Sequence, residues 1–232
     1  MSAEPTVAAA LAAVRERIAR ACSRAGRRPE DVTLVGIGKG QPVDKLREAW
    51  QAGLRVFGEN RVQEARDKAP QMPAEVEWHL VGPLQTNKAR LAVQIFRVFH
   101  AIDREKLARA LDAEARARGE RLPVFLEINL GGEASKHGFA PGELAAQARP
   151  LAGLTGLRVV GLMAIPPQGA DPEAARPWFR RLRELRDELG RLPEWSGWPG
   201  CLSMGMSGDF EVAIEEGSTH VRVGTAIFGE RP

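Results

Sequence analysis

The feature that most constrains this chain is an alternation. Short apolar runs recur eight times, and nearly every gap between them carries a helix-period pattern. The runs are VTLVGIG (32–38), RVFG (55–58), EWHLVG (77–82), RVFHAI (97–102), PVFLEINL (123–130), LRVVGLM (157–163), CLSMG (201–205) and HVRVG (220–224). A strand followed by a helix returns the chain to start the next strand in the same direction, so the pairing is parallel. Eight such units in 232 residues fit a (β/α)8 TIM barrel, usually about 250 residues long. An open doubly wound sheet is the alternative, and the count of eight favours closure. No linker divides the chain, so one α/β domain over residues 1–232 is expected.

The helices have their own signals. Val7, Leu11, Val14 and Ile18 place an extra N-terminal helix ahead of the first strand. Pro42 precedes a helix that ends at Gly53, and Asp103 is the expected N-cap of another. Trp178, Leu182, Leu185 and Leu189 form the apolar stripe of a helix over 173–190, and one more over 208–216 ends at Gly217. The irregular RLPEWSGWPG (191–200) is expected as a loop crossing the barrel wall.

Charge and cysteine usage exclude several classes. The 33 basic residues are interleaved with 30 acids, as in RRLRELRDELGR, which reads as a solvated helix face rather than a nucleic-acid stripe. Cys22 and Cys201 lie far apart without CxxC spacing, so neither a metal site nor a disulfide framework is expected. The first twenty residues lack the basic start of a signal peptide, and no apolar run approaches the roughly 18 residues that span a membrane. A cytoplasmic protein follows as the expectation.

Chemistry in a barrel sits at the C-terminal ends of the strands, with phosphate commonly after strands seven and eight. Following each strand to its end gives Lys39, Glu59 and Asn60, GPLQTNK, Asn129 with GGEASKHGF, Met163, Ser203 and Met204, and Arg222, Gly224 and Thr225 on one face. In RVGTAIFG a strand ends in Gly224-Thr225 and a helical turn begins, an arrangement whose backbone N–H groups and hydroxyl cradle an anion. Ser203, on the adjacent strand, is placed to add a hydroxyl. Without a ligand, the same residues read as a tight turn capped by Thr225.

Arg222 shares a strand face with Gly224 and so points into the barrel, where a guanidinium needs a partner. Glu127 is one structural choice, and a ligand is the other. Lys39 stands between Gly38 and Gly40 at a strand end, where backbone and ligand approach closely. Only six of the 33 basic residues are lysines, so a lysine here is not a routine choice of cation. A lysine partly desolvated beside another cation becomes a nucleophile toward carbonyls. An aldehyde at Lys39, a phosphate at Gly224–Thr225 and a ring nitrogen near Arg222 describe pyridoxal 5′-phosphate; a Schiff-base aldolase would share several of these parts.

Four further segments sharpen this reading: FGENRVQEA, WHLVGPLQTNKAR, LMAI and LSMGMSGDFEVAIEEGSTHVRVGTAIFGER. On these, from about residue 6 to 230, the chain resembles the pyridoxal phosphate homeostasis proteins, single-domain relatives of the alanine racemase barrel. The resemblance implies a fold-type III barrel with Lys39 carrying the cofactor as a Schiff base. It places Ser203, Gly224 and Thr225 at the phosphate, Arg222 at the pyridine nitrogen, and Asn60 and Met163 near the ring; Met204, at the end of the seventh strand, is counted with them as cofactor-binding. Lys136, in EASKHGF, matches a second family lysine. The usual Ser-Lys-Thr-Lys around the cofactor lysine is here Gly38-Lys39-Gly40-Gln41, and Arg61 replaces a frequent aromatic.

The same residues bound the chemistry. An arginine keeps its proton, so it leaves the ring nitrogen unprotonated and the ring a weaker electron sink than one paired with a carboxylate. Two-base racemisation needs an acid–base group on each face of the substrate carbon. In the related racemases one is a tyrosine, and this chain contains none. His79 and His137 are the histidines considered as substitutes, each with an ordinary structural or surface reading. The expectation is a non-catalytic monomer that buffers pyridoxal phosphate and delivers it through transient contact with apoenzymes. The alternatives are a weak amino-acid racemase or lyase, and a Schiff-base aldolase without cofactor.

Overall fold

The computed structural model describes residues 5–132, 137–167 and 171–231. Its strands are β1 (Thr33–Ile37), β2 (Val56–Glu59), β3 (Glu77–Leu80), β4 (Val98–Ile102), β5 (Leu122–Glu127), β6 (Leu157–Met163), β7 (Cys201–Ser203) and β8 (His220–Val223). Each pairs in parallel with the next, and β8 returns to β1 with Val35 opposite Arg222, closing the barrel. The expected (β/α)8 fold is the one observed, with the short runs RVFG and CLSMG forming β2 and β7.

Three runs stop two or more residues earlier than the apolar pattern. Val81 and Gly82, Ile128 to Leu130, and Met204 and Gly205 leave the ladder and open the loops of the C-terminal mouth. At Gly82 the reason is close approach: a Cβ there would lie 2.6 Å from the backbone oxygen of Asn60. At Gly205 it is a φ of +93°, which a strand residue does not adopt.

The helices α1 (Val7–Arg24), α2 (Val43–Gln51), α3 (Val62–Lys68), α4 (Ala89–Ile95), α5 (Glu105–Ala117), α6 (Leu144–Ala148), α7 (Arg176–Gly190), α8 (Phe210–Glu215) and α9 (Thr225–Phe228) surround the strands. The extra helix α1 is present, capped by Thr6, whose hydroxyl accepts from the Ala9 amide. It is tied to α8 by the Arg17–Glu211 and Arg24–Glu215 pairs, at 2.8 and 2.7 Å.

Some local expectations change. In α7 the buried stripe is Phe179, Leu182, Leu185 and Leu189; Trp178 is only partly covered. Both 178 and 179 satisfy helical spacing to 182, and the barrel wall selects the second. Asp103 does not cap α5, which starts two residues later; its carboxylate is buried beside Arg104. Residues 191–200 link α7 to β7 at the N-terminal mouth instead of crossing the wall. Trp195 is buried there, edge-on to Trp198.

The main apolar layer lies between strands and helices, with Leu46, Phe57, Phe179 and Phe210 fully buried in it. A smaller cluster fills the barrel itself: Val98, Ala101, Phe125, Val160 and Met163. The rest of the interior is polar. His79, His100, Ser203 and Arg222 are all buried, while Val221 and Val223, alternating with Arg222 on β8, face the helices.

Candidate functional site

The site begins at the end of β1. Beyond Ile37 the chain turns through Gly38, Lys39 and Gly40, closed by the Gln41 amide donating to the Gly38 carbonyl. Both glycines fit their surroundings closely. Gly40 has a φ of +68°, and a Cβ on Gly38 would lie 2.9 Å from Glu59 Oε1 and 3.1 Å from Leu46. Helix α3 holds this turn from outside. Lys68 Nζ donates to the Gly38 carbonyl at 2.8 Å and pairs with Glu59 at 2.7 Å, while Glu64 accepts from the Gly40 amide at 3.2 Å. Glu59 is fully buried, and that burial, opposed by Lys68, pushes its carboxyl up to about 7.

Lys39, half-buried, opens into a cleft of about 520 Å³ at the C-terminal mouth. Asn60, Arg222, Gly224 and Thr225 line the same cleft, together with Ser207. So the structure brings five of the eight residues assigned to the cofactor together. An adjoining cleft of about 800 Å³ shares Lys39 and Asn60 and is bordered by Arg61, Lys88, Arg104 and His137.

The other three residues lie elsewhere. Ser203 is fully buried within the barrel and meets Arg222 and His100 instead of the cleft. Its position, inward on β7 and opposite His220, puts it below the cleft floor. Met163 packs in the small interior cluster, and Met204 in the outer apolar layer. The hydroxyl at the Gly224 turn belongs to Ser207, on the loop after β7. Its Oγ accepts from the Gly224 and Ala226 amides at 3.3 and 3.2 Å. Sequence reasoning counted the serine at the strand end and passed over the one four residues on, in MSGDF, which the loop swings back over β8. Lys136 falls outside the described residues.

Arg222 is buried yet lines the cleft. Its Nη1 donates to Ser203 Oγ at 2.6 Å and its Nη2 to the Ala164 carbonyl at 3.1 Å. No ion pair with Glu127 or any other described carboxylate forms. Burial draws the guanidinium down to about 10, with Glu127 and Asp209 opposing the shift from a distance. A guanidinium has five N–H donors, so donors remain for an acceptor in the cleft.

Comparison with known proteins finds relatives in both sequence and fold. The alanine racemase N-terminal domain family covers residues 10–232. The pyridoxal phosphate homeostasis protein of Aquifex aeolicus is 46% identical over 222 residues, 95% of this chain and 96% of that protein. The protein of the same name from Bos taurus is 42% identical, covering 100% of this chain and 89% of its own length. The structure of PipY from Synechococcus elongatus with PLP bound superposes with a TM-score of 0.80 at 37% identity, over 93% of this chain and 100% of that one. An alanine racemase from Clostridium difficile shares the fold alone, with a TM-score of 0.73 at 14% identity, over 94% of this chain and 56% of its own. The chain belongs to the pyridoxal phosphate homeostasis protein family, built on the alanine racemase N-terminal barrel.

Proposed function

We propose that this protein binds pyridoxal 5′-phosphate as a Schiff base on Lys39 and buffers and delivers it within the cytoplasm, without catalysing a reaction of its own. The observation that carries the reading is Arg222. A buried guanidinium that borders the cleft without a carboxylate partner needs an acceptor there, and a pyridine nitrogen supplies one. The other residues fit the same group. Lys39 supplies the amine on the cleft wall, and Ser207 with the Gly224 and Ala226 amides forms the anion cradle, flanked by Thr225. Asn60 borders the ring. Ser203, Met163 and Met204 act indirectly, Ser203 by fixing Arg222 and the methionines by packing.

When bound, the cofactor supplies an electron sink, and Arg222 weakens it by leaving the ring nitrogen unprotonated. The protein's own acid–base groups do not make up the difference. There is no tyrosine. His79 and His100 are sealed inside the barrel in mutual hydrogen bonds. His137 is exposed and sits 3.4 Å from Asp103. The relatives named as homeostasis proteins support the carrier reading over a racemase or lyase. Residues 1–232 then act as one monomeric cofactor-binding unit that meets acceptor apoenzymes transiently.

Purified protein mixed with pyridoxal phosphate and then borohydride is expected to carry a pyridoxyl group on Lys39, located by mass spectrometry. A protein that gains no visible absorption with the cofactor is the aldolase alternative and refutes the proposal. Sustained turnover of D- or L-alanine, abolished in Lys39→Ala, would overturn the carrier claim.

A further inference from the structure

The barrel interior holds a single file of hydrogen bonds that cofactor binding alone does not require. It starts at Arg222, whose Nη1 donates to Ser203 Oγ at 2.6 Å. Ser203 Oγ lies 2.7 Å from His100 Nδ1, His100 Nε2 lies 3.0 Å from His79 Nδ1, and His79 Nε2 lies 2.8 Å from Glu77 Oε1. Four strands contribute: β8, β7, β4 and β3. His79, His100 and Ser203 are buried, whereas the Glu77 side chain is 48% exposed at the opposite, N-terminal mouth.

With both imidazoles neutral, the two ends fix the polarity of the whole file. An arginine only donates and a carboxylate only accepts. Ser203 therefore accepts from Arg222 and gives its own proton to His100 Nδ1. His100 then carries its proton on Nε2 and donates to His79 Nδ1, and His79 carries its proton on Nε2 and donates to Glu77. Each bond has one donor and one acceptor, with one proton per imidazole. Burial, with the Arg222 charge beside it, holds His100 well below the usual imidazole range, which keeps it neutral as the file demands. Barrel interiors are ordinarily filled by branched apolar side chains. A polar line here is paid for only because every member is satisfied.

We propose that Ser203, His100 and His79 are positioning residues that fix Arg222 and transmit the charge of Glu77 through the barrel to the cofactor's ring nitrogen. The inference rests on the cofactor reading of the cleft. Polarised hydrogen bonds in series strengthen one another, so the Glu77 carboxylate makes Ser203 Oγ a better acceptor and offsets part of the guanidinium charge. Removing that charge leaves Arg222 a stronger donor to the ring nitrogen. The ring then withdraws more electron density from the Schiff-base nitrogen and lowers its proton affinity. The other groups in reach are His220 and Arg97 beside Glu77, and Glu127 and Asp209 facing Arg222. His220 is turned aside, with its Nδ1 2.8 Å from Thr219 Oγ1.

Two measurements test this. In the cofactor-free protein with ¹⁵N-labelled histidine, His79 and His100 are expected as neutral Nε2–H tautomers, assigned with single-histidine variants among the four histidines. Glu77→Gln, which keeps an acceptor but removes the charge, is expected to move both sets of ring shifts. In the loaded protein, the pH midpoint of the visible band is expected to fall by about 0.3 units in Glu77→Gln and Ser203→Ala. Glu75→Gln, an exposed charge two residues away, is expected to leave it in place. Glu77 is half-exposed, so its variant keeps the test alive where an interior variant fails to fold. His100 found with its proton on Nδ1, or an unmoved midpoint in Glu77→Gln, overturns the inference. Wild-type protein that develops no visible band overturns the cofactor reading, and this inference with it.

Discussion

Glu59→Gln should change the pH dependence of stability in a direction opposite to that of carboxylates held low by a partner, such as Glu77 beside His79. Glu59 is fully buried beneath the Lys39 turn, with Oε1 on Lys68 and the Glu64 carboxylate nearby. Burial raises its carboxyl from 4.5 to about 7. A raised folded-state value means the folded protein holds the proton more tightly than the unfolded chain. The stability this contributes is fully present below 4.5 and is lost as pH rises through about 7. The size follows from linkage, at about 3 kcal/mol across that window. Glutamine has nearly the same shape and does not titrate. The variant should therefore gain on wild type as pH rises from 4.5 to 8, by about 6–12 °C in melting temperature for a chain of this size.

Taking the difference between the two proteins removes the histidine contributions, which run the other way. Burial holds His220 down to about 3 and His100 well below its usual range, so both proteins lose stability as pH falls below 6.5. The assay is calorimetry or circular dichroism melting of cofactor-free protein at half-unit pH steps. A difference in melting temperature that stays flat with pH, or that favours wild type at high pH, would refute the assignment of a protonated carboxyl to this position.

Two further outcomes follow from the same region. Gly40→Ala forces a Cβ into a φ of +68° and to 3.2 Å from Arg231, so it should cost about 1–2 kcal/mol, read as a lower melting temperature. Ser207→Ala removes the acceptor shared by the Gly224 and Ala226 amides; cofactor affinity by absorbance titration should weaken about 5- to 10-fold, with little change in the melting of the cofactor-free protein.

The architecture was legible because it depends on periodicity, and all eight apolar runs became strands. The reach of each run was less legible, because the exit at Gly82 is decided by how closely Asn60 passes. The site divides the same way. Residues fixed by strand register, Arg222 above all, were found by counting: two residues before Gly224 means the same face, and the structure puts both on the cleft. Residues that reach the site through loop geometry were not. Ser203 and Ser207 have the same chemistry and lie four positions apart, and only the path of the loop after β7 sends the second to the Gly224 amide. His100 and His220 were passed over because nothing local distinguishes an inward histidine on a strand from an outward one until the barrel closes.

The Gly38-Lys39-Gly40 sequence shows how a departure from a family pattern becomes intelligible only in three dimensions. In sequence, two hydroxyl-bearing neighbours and a second lysine are missing. In space, a side chain at 38 would meet the Glu59 carboxylate, and one at 40 would need a left-handed backbone beside Arg231. A second ammonium group is present after all, delivered by α3: Lys68 Nζ sits on the Gly38 carbonyl, one peptide from Lys39. The glycines and the Glu59–Lys68 pair are therefore parts of one arrangement. The buried carboxylate fills the space that Gly38 leaves, Lys68 compensates the carboxylate, and the same ammonium pins the turn that presents Lys39 to the cleft. Restoring a serine at 38 alone should then destabilise the turn, because the space it would occupy is already taken.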